Sequence, residues 1–246
     1  MIESILNAAK KTSYDFRKHV QNNDPLNYLF PELVKYYQLK YAISKAIQPK
    51  SILELRVRFG YSAITFLEAS PKASYTGIDI DNEAYGSVKG AIDWAKKITR
   101  DYDATFIIDD TTKMQSFPGD FYDLIHVDAQ QDGDGTFGDL EKALEKGRYI
   151  LVDRYFWSKP NMLSSTYFLD KYKDFIEYAL VIPGYAGELL IKTKPNAKNM
   201  LRQYTNAYET LVDTYDSNYY LNDCGGYDTF IRTKGEEITD HRLLAA

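Results

Sequence analysis

Ser51-Ile52-Leu53-Glu54-Leu55-Arg56-Val57-Arg58-Phe59-Gly60-Tyr61-Ser62 is the stretch on which the fold turns. An apolar run with β-branched residues reads as a strand at Ile52–Val57, and Gly60 marks the turn out of it. The apolar spacing that follows predicts a helix at Ser62–Ala69, so the stretch is one βα unit. Outward from it the pattern repeats. Further strands are expected at Tyr75–Ile80, Ala104–Ile108, Leu124–Asp128 and Tyr149–Val152, with helices at Tyr85–Ile98 and Phe137–Lys146 between them. Alternation of this kind specifies an α/β protein with a parallel sheet.

Upstream, Ile2, Ile5, Leu6 and Ala9, then Leu33, Tyr36, Tyr37, Leu39, Ala42 and Ile43, fall at helical spacing, and Pro49 ends the second helix. Downstream, a helix around Ser164–Tyr178 precedes apolar runs at Tyr178–Ile182 and Glu188–Ile191. Pro183-Gly184-Tyr185-Ala186-Gly187 joins the two runs as a hairpin-type connection. From Lys194 the chain is polar and rich in tyrosine, with a helix expected at Lys198–Thr214 and a loop at Asn222–Tyr227. The expected organisation is one domain over 1–246, comprising a helical N-terminal part (1–50), an α/β core (51–193) and a C-terminal extension (194–246).

Composition narrows the function. The 246 residues include 44% hydrophobic ones, enough for a substantial core without metal or disulfide support. Cys224 is the single cysteine, which excludes an internal disulfide and a Cys-based zinc cluster and fits a cytoplasmic setting. Neither a long apolar run nor a signal-peptide pattern is present, so no membrane partner is expected. A net charge of -5 and a pI near 5.3 argue against nucleic acid and for a small-molecule partner. The 22 tyrosines suit packing, pocket walls or a homodimer interface.

Acids recur where strands end. Glu54 lies in the first strand, Asp79 and Asp81 close the second, and Asp109 and Asp110 close the third. Asp128 closes the fourth, and Asp153 follows the fifth. In parallel sheets ligands collect at the carboxyl ends of strands, where helix N-termini present their amides.

This arrangement resembles the class I S-adenosylmethionine (SAM) methyltransferases over about Ser51 to Thr193, and implies their Rossmann-like, doubly wound, mostly parallel sheet. Residues 53–62 are similar to the family's motif I. The resemblance implies that Gly60, Tyr61 and Ser62 approach the methionine part of SAM, that Asp79 receives the ribose hydroxyls and that Asp109 and Asp110 contact the adenine. Arg56 stands where the family usually has glycine. Three roles are open to it: turning outward as a structural residue, pairing with the acids nearby, or binding a carboxylate directly. A nicotinamide reading is less attractive because no G-x-G-x-x-G stands in this loop, where Gly60 is the one glycine.

Residues 123–140 are similar to the fourth-strand segment of small-molecule O-methyltransferases, including metal-dependent sugar, macrolide and catechol types. There, acids at the positions of Asp128 and Asp153 hold Mg2+; Arg154 stands where those relatives have a third ligand. Without metal, Asp128 or His126 is the candidate general base, His126 being open also to a purely structural, buried role. Tyr155 and Trp157 are candidate substrate-pocket residues, packing being the other reading. The expected activity is methyl transfer to a hydroxyl, or an amine, of a small molecule such as a sugar or natural-product intermediate. Alternatives are a SAM-using enzyme that does not transfer methyl, and a non-catalytic partner subunit of the same fold.

Overall fold

The computed structural model describes residues 1–83, 87–182, 186–195 and 242–245. The chain divides into two compact units, Met1–Thr111 and Thr112–Ala246. In the first, α1 (Ile2–Lys11) and α2 (Phe30–Ile47) precede β1 (Ser51–Leu55), α3 (Tyr61–Ala69), β2 (Ser74–Asp79), α4 (Ala91–Ile98) and β3 (Ala104–Ile108). β2 lies between β1 and β3 and is parallel to both, so the carboxyl ends of all three share one edge. α2 packs on α1 and α3. It ends where Gln48 turns left-handed (φ 50) and its N–H bonds back to the Ser44 carbonyl, with Pro49 barring a further turn.

β1 is shorter than the sequence predicts. It stops at Leu55 because Arg56 adopts φ 71, which no strand accommodates, and its N–H is taken by the Ile78 carbonyl at 2.7 Å. β2 likewise ends at Asp79, before Asp81 turns to φ 48. α4 begins at Ala91 behind Gly90. The start expected at Tyr85 lies outside the described residues.

The N-terminal segment adds an aromatic cluster. The rings of Phe16, Phe30, Tyr37 and Tyr61 pack with centroids 4.1 to 6.4 Å apart, and Phe16 is fully buried. Burial, the largest cause, raises the hydroxyl pKa of Tyr14, Tyr61 and Tyr75 above the ordinary 10.0, and the negative charge of Glu54 adds to the effect at Tyr75. A raised folded-state pKa gives stability that is complete below the unfolded tyrosine pKa and is lost as pH climbs from there toward the folded value. Thermal stability should therefore fall above about pH 10, and Tyr75→Phe should flatten that fall. A melting temperature independent of pH in this range, or the same slope in the variant, would refute the assignment.

The second unit contains β4 (Tyr122–Val127), α5 (Asp134–Leu144), β5 (Gly147–Val152), α6 (Lys159–Lys171), β6 (Ile176–Ile182), β7 (Glu188–Thr193) and β8 (Arg242–Ala245). β4 and β5 are parallel, whereas β7 runs antiparallel to β5 and β6, and β8 is antiparallel to β6. The helix expected at Ser164–Tyr178 is displaced toward the N-terminus. Ser158 caps α6 by accepting the Asn161 N–H at 3.2 Å, and Pro160 sits in its first turn, where a missing N–H costs nothing. At the far end, Ile176 and Tyr178 are claimed by pairing with β7. Residues 183–185, the helix expected at Lys198–Thr214, the loop at Asn222–Tyr227 and most of the 194–246 extension lie outside the described residues. Among the described residues, no helix is long and apolar enough to cross a membrane.

Candidate functional site

Two rims carry the residues singled out by the sequence. At the carboxyl edge of β1–β3, Glu54 is fully buried and its two oxygens accept hydrogen bonds from Ser62 Oγ and Tyr75 Oη. The carboxylate thereby ties β1 to the first turn of α3 and to β2. Asp79, 6% exposed, holds the turn after β1: Oδ2 accepts the amides of Val57 and Arg58, and Oδ1 accepts that of Asp81, all at 2.7 Å. These bonds stabilise the left-handed residues Arg56 and Arg58. Asp81 Oδ1 in turn accepts the amides of Gly90 and Ile92 at the start of α4. Part of the crowding of acids at strand ends is thus explained by local demand, since each abrupt turn leaves amides that a short carboxylate satisfies.

Gly60 is needed for a different reason from the one expected. A Cβ there would lie 2.6 Å from Cβ and 2.8 Å from Cα of Ala95, and φ is +77. The close approach is therefore to α4. Tyr61 also departs from expectation: it is 4% exposed, its ring belongs to the aromatic cluster, and its hydroxyl accepts the Gln21 amide at 3.0 Å. Ser62 points to Glu54. Asp109 is exposed, with Oδ1 accepting the Asp110 amide at 2.7 Å. Beside these acids two large apolar side chains lie open, Ile80 at 50% and Ile108 at 58% exposure. They escaped the sequence reading because apolar residues ending a strand read as core.

At the carboxyl edge of β4 and β5, Asp128 is 9% and Asp153 1% exposed. Between them lies the side chain of Arg154, with Nε 2.7 Å from Asp153 Oδ2 and a terminal nitrogen 3.7 Å from Asp128 Oδ1. Gln131 Nε2 donates to the same Asp128 oxygen at 3.1 Å. His126 is fully buried, its Nε2 3.8 Å from Asp153 Oδ1, and buried Glu188 completes a cluster with the two. Without solvent exposure His126 is poorly placed to receive a substrate proton, which favours the structural role.

Two other expectations change here. Tyr155 is 4% exposed, its hydroxyl paired with Thr166 Oγ1 at 2.8 Å, so it packs inside; Trp157 is 52% exposed, with the Arg154 guanidinium beside its ring. The magnesium expected at Asp128 and Asp153 meets a site already holding a positive charge. A metal needs their oxygens at about 2.0–2.6 Å, and the guanidinium is bonded to one acid and adjacent to the other. The donor set as folded does not fit a divalent ion. Asn161, unnoticed in the sequence, donates from Nδ2 to the carbonyls of Asp153 (3.4 Å) and Arg154 (3.0 Å) and secures the loop.

The fold is that of Rossmann-like methyltransferases. The O-methyltransferase TomG from Streptomyces achromogenes, involved in tomaymycin synthesis and solved in complex with SAM, superposes with a TM-score of 0.54 at 15% identity, over 78% of this chain and 96% of that one. The methyltransferase PaMTH1 from Podospora anserina, solved with bound SAH, gives 0.49 at 18% identity, over 78% and 88% of the respective chains. A family model described as O-methyltransferase matches residues 32–164, more than half of the sequence, and the chain belongs to that family. It is accordingly a SAM-dependent methyltransferase. Comparison with curated protein sequences returns no match.

Proposed function

We propose that this enzyme methylates a hydroxyl group of a small molecule, with SAM bound at the carboxyl edge of β1–β3 and Asp128 accepting the hydroxyl proton. The observation that carries the donor half is the combination at that edge of a nearly buried carboxylate, Asp79, with the exposed side chains of Ile80 and Ile108. A nucleoside offers the matching chemistry: ribose hydroxyls that donate and a purine with apolar faces. Asp79 Oδ2 already accepts two amides, but Oδ1 accepts one, leaving a lone pair for a ribose hydroxyl. In this reading the exposed carboxylate of Asp109 receives the amino group of adenine. SAM binding in TomG is consistent with this assignment.

Bound SAM would supply an electrophilic methyl group on a sulfonium, whose S–C bond breaks in the transfer with SAH as the leaving group. The chain's own residues do the rest. Asp128 takes the acceptor's proton as the new O–C bond forms, and Trp157 offers an aromatic face to the acceptor's body. Catalysis is then mainly alignment plus one proton transfer.

Calorimetric titration with SAH tests the donor half. The wild type should bind, and Asp79→Ala should bind at least about tenfold more weakly, the cost of losing a hydrogen bond to a charged acceptor. Because Asp79 also holds the turn after β1, Ile108→Asp is the companion variant: it leaves that turn intact and should weaken binding as well. A folded wild type that takes up no SAH contradicts the reading.

A further inference from the structure

The backbone after β5 is built around Arg154. This residue has φ 47, a left-handed conformation that is unfavourable for a side chain with Cβ, so something must hold it. Several contacts do. The Asp153 and Arg154 carbonyls are gripped by Asn161. The amides of Tyr155 and Phe156 bond at 2.8 Å to the carbonyls of Gly187 and Ala186. The side chain folds back so that Nε reaches Asp153 Oδ2, and the guanidinium carbon lies 5.3 Å from the ring centre of Trp157.

The charges explain why the arrangement is retained. Asp128 and Asp153 have side-chain exposures of 12% and 0%, so two carboxylates stand nearly out of water on adjacent strand ends. Such a pair needs a cation. Arg154 supplies it from the chain, and at 23% side-chain exposure the guanidinium can still be reached by an oxygen from outside. A divalent ion entering here would have to break the Asp153–Arg154 bond and bear the repulsion of a displaced guanidinium.

We propose that the Arg154 guanidinium is the resident cation of this rim: it occupies the place between Asp128 and Asp153 to the exclusion of divalent metal, and presents a fixed positive charge to the acceptor oxygen. The second part rests on the methyl-transfer reading; the first stands without it. Methyl transfer at this rim accordingly needs no metal between Asp128 and Asp153.

Manganese titration followed by electron paramagnetic resonance tests this on the full chain. The wild type should show no saturable Mn2+ binding in the low millimolar range. Arg154→Asn, which replaces the cation with a neutral oxygen donor, should bind Mn2+ at least about tenfold more tightly, whereas Arg154→Lys, which keeps the charge, should resemble the wild type. Stoichiometric Mn2+ binding by the wild type overturns the proposal, as does an Arg154→Asn protein that melts like the wild type yet gains no affinity. SAM turnover by the wild type should be unchanged by EDTA, and a rate that collapses in EDTA and returns with Mg2+ overturns it equally. Titrating the same samples with SAH keeps the two readings apart: absent SAH binding defeats the methyltransferase reading, while the Mn2+ result still decides the role of Arg154.

Discussion

Asp128→Asn is expected to lower SAM turnover by about 10²–10⁴-fold, the range a positioned general base contributes, while leaving SAH affinity essentially unchanged. Asparagine preserves the shape of the side chain and can still accept from Gln131, but it cannot take up a proton. Asp128 is the acid of its rim that retains some exposure, whereas Asp153 is shut in by Arg154, Asn161 and His126. SAH formation measured chromatographically, with any acceptor that the wild type turns over, is the readout. A variant with more than about a third of wild-type turnover would show that the proton leaves by another route, because general-base catalysis contributes far more than threefold. His126→Asn provides the contrast: its expected effect is lower thermal stability, since it disturbs a buried cluster with Asp153 and Glu188.

Gly60→Ala should be the most damaging single-methyl change in the first unit. The added Cβ would stand 2.6 Å from that of Ala95, and backbone as well as side chain blocks it, so neither a rotamer change nor a small shift relieves the clash. The left-handed backbone adds its own cost. Together these amount to about 2–4 kcal/mol, or about 5–15 °C in melting temperature for a chain of this length. Gly90→Ala is the internal control. Gly90 has φ +85 but no atom within 4 Å of a built Cβ, so only the backbone cost of about 1 kcal/mol should appear. Equal losses in the two variants would mean that the contact with α4 does not matter.

These two positions show what the sequence made legible. The strand at Ala104–Ile108 and the cores of the other parallel strands follow from apolar runs whose period is unambiguous. Boundaries followed less well wherever a side chain with Cβ adopts positive φ, as at Arg56, Asp81 and Arg154, because nothing in such a residue type announces a turn. Gly60 is legible as a turn residue at a close approach, but its neighbour is not: the atom it makes room for lies 35 residues away, on a helix whose packing only the fold reveals. The acids at strand ends were readable as a group, yet their division of labour was hidden. Glu54 and Asp81 serve the protein's own hydroxyls and amides, while Asp79 both secures its turn and keeps one acceptor position. Arg154 can be seen in the sequence to stand in place of a metal ligand, but only the fold brings its guanidinium between the two carboxylates. Glu188, distant in sequence and embedded in an apolar run, gave no sign that it would join His126 and Asp153.

The central claim, that the carboxyl edge of β1–β3 receives the nucleoside of SAM, is tested most directly by amide hydrogen exchange with and without SAH. Protection should concentrate in residues 54–62, 79–83 and 107–111, where the turn held by Asp79 and the side chains of Ile80, Ile108 and Asp109 would meet the ligand. Saturating SAH that leaves these three segments exchanging as in the free protein, or that protects other parts of the chain instead, would contradict it.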